Sequence, residues 1–115
     1  MPEVLTPAQV EKRLLDLYRA LDTSQDDLAT AEMDYHTQKA ECEVALAGSR
    51  LRFRDSKRVQ EIEDKATIAC QEQLFQLAIA EAKAKAARAN ANKLRTQVDI
   101  VRSIGTSVRA ALDLG

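Results

Sequence analysis

"TPAQVEKRLLDLYRALDTSQDDLATAEMDYHTQKAECEVALAGS", residues 6–49, decides the fold. Apolar or small residues recur at Val10, Leu14, Leu17, Leu21, Ser24, Leu28, Ala31, Tyr35, Gln38, Cys42 and Ala45, stepping by four and three without a slip. That spacing keeps one stripe on one side of a helix and is the heptad signature of helix-on-helix packing. Polar Ser24 and Gln38 weaken the seam locally. Thr6, followed by Pro7 and then by Gln9 three positions on, predicts a capping box with proline at the first helical position. No further glycine or proline interrupts the chain before Gly48. The first helix is therefore expected over 7–47, about 40 residues or about 60 Å. "AGS" at 47–49 predicts its end, with Gly48 as a left-handed cap.

Past the turn, assigned to 48–55, Asp55 or Ser56 can cap a second helix, expected over 56–104. Its later half carries another seam: Leu77, Ala80, Ala84, Ala87, Ala91, Leu94, Val98, Val101, Gly105, Val108 and Leu112. "AEAKAKAARANA" alternates like a strand, but alanine is a poor strand former and the best helix former, so helix is expected. Gly105 either kinks this helix or ends it, with Thr106 capping a short last helix over 106–114. The fold class is thus all-α: a single domain over 1–115, a long antiparallel helical hairpin. Phe75, Ile79, Ala82, Ala86 and Ala89 form a second four-three stripe, nearly opposite the Leu77–Ala91 seam. A helix apolar on two opposite sides needs cover on both, and one partner helix covers only one. The second stripe predicts a homo-oligomer.

Composition agrees with long helices. The chain has 115 residues with 45% hydrophobic and 3% aromatic side chains, no tryptophan, three glycines and two prolines. Alanine supplies much of the apolar share and buries little area, so a thick core is excluded. "LAIA", the largest apolar run, is far too short to span a bilayer. The first residues, "MPEVLTPAQ", lack a basic start and an apolar core, so a secretory signal is not expected and the location expected is cytoplasmic. Cys42 and Cys70 stand far apart in sequence and are expected as reduced, packed thiols.

Catalytic signals are missing. His36 is the single histidine, with Glu32 as its sole nearby candidate ligand, so no metal site is assigned. Neither a nucleophile motif nor a phosphate-binding glycine loop is present. Two straight helices shelter little concave surface, so a binding protein without cofactor is expected, not an enzyme. The chemistry concentrates instead in "SRLRFRDSKR", residues 49–58. Arg50, Arg52, Arg54, Lys57 and Arg58 face one acid there, Asp55, although the whole chain carries a net charge of only −1. In an extended segment Arg50, Arg52 and Arg54 would point one way and Leu51 and Phe53 the other. Guanidinium forks match phosphate oxygens, and Phe53 could stack on a base. A second basic stretch, Lys83, Lys85, Arg88, Lys93 and Arg95, is spread around its helix as ordinary surface charge.

This layout resembles the UvsY-type phage recombination mediators. The resemblance spans Val10 to Leu112: a long first helix, the pair Arg50-Leu51-Arg52 beside aromatic Phe53, the acidic "VQEIEDKA", and a long apolar-rich second helix. It implies a small all-helical oligomer that binds single-stranded DNA and helps load a RecA-like recombinase onto strands coated by single-strand-binding protein. For a phage protein the location implied is the host cytoplasm. The competing expectation is a structural or assembly protein, a scaffold or adaptor of helical hairpins, whose basic turn meets an acidic protein surface. A membrane-surface role fits poorly, because the cations do not oppose large apolar residues.

Overall fold

A computed structural model of the protein describes residues 5–114. It contains three helices and, among the described residues, no strand: α1 (Pro7–Arg52), α2 (Val59–Ala69) and α3 (Gln71–Leu114). The chain is a long antiparallel helical hairpin. α1 starts where the capping box places it. The Thr6 backbone N–H donates to Gln9 Oε1 at 2.9 Å, and the Gln9 N–H donates to Thr6 Oγ1 at 3.3 Å. Two of the helix-end groups that lack a partner within the helix are satisfied reciprocally.

Every position of the α1 seam from Val10 to Ala45 is buried or half-buried, and so is every α3 seam position from Leu77 to Val108. Leu112 alone among the seam residues is exposed. The packing divides into two units. One joins the residues up to Leu28 with those from Ala87 on. Its core centres on Val10, Ala91, Val98 and Val101. Gly105 is buried there, and a Cβ built on it would lie 2.9 Å from Val10 Cγ1, so the two backbones come closer than an alanine comfortably permits. Buried Ser24 is not left without a partner, because Asn90 Nδ2 donates to its hydroxyl at 3.2 Å. Arg102 donates to the Tyr18 hydroxyl. The second unit, Ala29–Ala86, holds the turn and buries Cys42, Ala66, Cys70, Ala80 and Ala84. Both cysteines are free and 2% exposed. Cys70 Sγ lies 3.3 Å from Ser49 Oγ across the hairpin.

The boundaries near the turn differ from expectation. Gly48 does not cap α1: it adopts no left-handed conformation, and the helix runs on to Arg52. Glycine costs a helix only about 1 kcal/mol. Here Ser49 against Cys70 and Arg50 against Glu63 hold the turns that follow. Nor do Asp55 and Ser56 cap the return helix. Its N-cap is Arg58, in an extended conformation (φ −126, ψ 138) with no side-chain cap bond. The return is also not one helix. It breaks at Cys70 (φ −106, ψ 19), whose carbonyl accepts the Leu74 N–H at 2.9 Å and so starts α3. Gly105 neither kinks the chain into a separate element nor ends α3, so the expected short helix over 106–114 is part of α3. The Val10 contact fills the space that a side chain there would need.

Candidate nucleic-acid interface

The turn occupies residues 53–58. The Phe53 N–H completes the last turn of α1 by donating to Ser49 O at 3.0 Å, and the Ser56 N–H donates to Phe53 O at 3.0 Å. Arg50 and Arg52 therefore sit in the last turn of a helix, and the extended alternation of "RLRFR" does not form. The helix fans the side chains around its end. Cations at a helix C-terminus also face the negative end of its dipole, which favours them by about 0.3–1 kcal/mol each.

The five cations fall into two groups. Arg50 is engaged: Nε donates to Glu63 Oε1 at 2.8 Å and Nη2 to Glu63 Oε2 at 3.1 Å, a bidentate pair between α1 and α2. Arg52 places its guanidinium carbon 5.1 Å from the centre of the Phe53 ring. Arg54, Lys57 and Arg58 are exposed, and their side chains pair with no other described residue. Phe53 is half-buried. Lys65 reaches its ring from α2 at 5.9 Å, while Lys65 Nζ donates to Ser56 Oγ at 3.1 Å and pairs with Glu61 Oε1 at 3.0 Å. These groups wall an open cleft of about 430 Å³ lined by Arg52, Phe53, Asp55, Ser56, Lys57, Glu61 and Lys65.

The arrangement offers cations with free donors beside a braced aromatic ring, which suits an extended polyanion better than a small molecule. Glu63 and Lys65 are the participants that sequence reasoning missed. Lys65 stands four residues after Glu61 and reads as ordinary helix surface. Glu63 meets Arg50 only because the chain folds back on itself.

The second stripe lies open. Phe75 is 61% exposed, Ile79 is half-buried, and Ala82, Ala86 and Ala89 are exposed. In the other basic stretch Lys85 pairs with Glu81 at 3.0 Å and Arg95 donates to Asn92 Oδ1 at 3.0 Å. Among the described residues no group of three or more His, Cys, Asp or Glu side chains could hold a metal ion. No described helix is long and apolar enough to cross a membrane. No protein-family model, curated protein or solved structure matches the chain.

Proposed function

We propose that the protein binds single-stranded DNA through the 53–58 turn, without catalysis, and serves as a mediator that helps a RecA-like recombinase displace a single-strand-binding protein. The observation that carries the binding is the group Arg54, Lys57 and Arg58: three exposed cations with no partner among the described residues, beside the half-buried ring of Phe53. Elsewhere several cations of the chain answer a local partner, as Lys65 and Lys85 do. A cluster of unanswered charge at a chain reversal suits contact with phosphates, which supply most of the affinity in sequence-tolerant binding. Arg50 and Arg52 are engaged within the fold. Arg50 fastens α1 to α2 through Glu63, and Arg52 lies against Phe53, so the principal phosphate contacts pass to Arg54, Lys57 and Arg58. The mediator role rests on the resemblance to UvsY-type proteins.

Binding of labelled oligonucleotides, single- and double-stranded, over a salt series tests the reading. The expected result is tighter binding of the single strand, lost steeply as salt rises. Replacement of Arg54, Lys57 and Arg58 together by alanine should abolish most of that binding with helicity unchanged. Negligible binding by the parent at low salt would overturn the reading in favour of an assembly protein whose turn meets an acidic partner.

A further inference from the structure

We propose that a second copy of this chain covers the exposed stripe of α3, packed antiparallel about a two-fold axis near Ala82. The stripe has a need for cover: Phe75 is 61% exposed on the side opposite the buried seam.

Two asymmetries choose the occupant and its direction. The first is size. The large side chains of the stripe, Phe75 and Ile79, lie before Ala82, and only alanines, Ala86 and Ala89, follow it. A second α3 running the opposite way sets Phe75 against Ala89 and Ile79 against Ala86, so each large group enters the space left by a small one. A parallel partner would stack Phe75 on Phe75 and leave the alanine end gaping.

The second is charge. Between Gln71 and Glu81 the helix carries Glu72 and Glu81 and no cation. Between Ala82 and Val98 it carries Lys83, Lys85, Arg88, Lys93 and Arg95 and no acid. Most of these cations are spread around the helix, but Glu72 and Lys93 lie on the stripe itself; antiparallel pairing brings each to its opposite, and parallel pairing lays like on like. Lys93 falls about five turns after Phe75, in line with it on the stripe. The same register that pairs Ile79 with Ala86 brings Lys93 to the copy's Glu72. Size and charge reverse about the same residue, which is the self-complementarity a two-fold interface requires.

This pairing sends the two basic turns to opposite ends of the dimer, so each meets its ligand alone. It does not depend on what the turns bind. The test is disulfide trapping of three variants, Phe75→Cys, Ala82→Cys and Ala89→Cys, with the parent as control because Cys42 and Cys70 are buried. Circular dichroism first establishes that each variant keeps the parent's helicity. Under mild oxidation Ala82→Cys should give a covalent dimer by itself. Phe75→Cys and Ala89→Cys should link to each other when mixed and poorly to themselves. Light scattering of the parent at micromolar concentration should report two chains or a multiple, and Ile79→Asp should shift it towards one. Efficient self-linking of Phe75→Cys and of Ala89→Cys would mean a parallel arrangement and overturn the proposal. So would a monomeric parent from which no variant cross-links.

Discussion

On the proposed reading, removal of the Glu63 carboxylate should separate the cations that bind a strand from the cation that fastens the turn. Arg50 donates both arms of its fork to Glu63, so in the parent it has little left for a phosphate. With Arg52 held against the Phe53 ring, three cations remain, Arg54, Lys57 and Arg58. At about −0.7 per phosphate on a single strand, they set a slope near −2.1 in log affinity against log salt, about an 18-fold loss between about 50 and about 200 mM. Glu63→Ala releases Arg50 as a fourth contact. The slope should steepen to roughly −2.8, about a 48-fold loss over the same range. Arg50→Ala should leave the slope near the parent's, since the side chain removed was already occupied. The ion pair is half-exposed, 47% and 42%, so its loss costs only about 0–1 kcal/mol of stability, and both variants should remain folded. Fluorescence anisotropy with a labelled single strand reads the slopes directly, and circular dichroism checks the helices. An unchanged slope in Glu63→Ala, together with a flattened one in Arg50→Ala, would show that Arg50 already contacts phosphate and that the pair does not hold it. Binding with no change in any turn variant would move the site elsewhere.

The two described glycines should respond in opposite senses to alanine. Gly48 is helical with nothing within 4 Å of an added Cβ, so Gly48→Ala should raise stability in urea by about 0.5–1 kcal/mol. At Gly105 the added methyl meets Val10 Cγ1 at 2.9 Å, on a stiff β-branched side chain, and overpacking of about 1–3 kcal/mol should cancel or exceed the propensity gain. Equal stabilisation by both changes would mean that the α1–α3 approach at Val10 is looser than described. Cys42 and Cys70, each 2% exposed, should react with a thiol reagent only after denaturant is added, and fast labelling of both in the native protein would mean that they are not packed inside the hairpin.

Much of this molecule is determined along the chain itself. The four-three spacing from Val10 to Ala45 and from Leu77 to Val108 marks the buried sides of both long helices, because a 3.6-residue repeat converts sequence spacing directly into a face. The Thr6–Gln9 capping box is equally local and forms as expected. The cation cluster at the turn is visible in the residue order of 49–58 alone. What the chain does not carry by itself is how its two arms meet. Gly48 signals a stop, and the contacts of Ser49 with Cys70 and Arg50 with Glu63 carry the helix past it. Gly105 signals a break, and its approach to Val10 keeps it inside α3. Which cations stay free was likewise decided by folding, since Glu63 reaches Arg50 across thirteen positions of sequence. Local propensities are worth about 1 kcal/mol or less per residue, so a few tertiary contacts outweigh them wherever the two disagree.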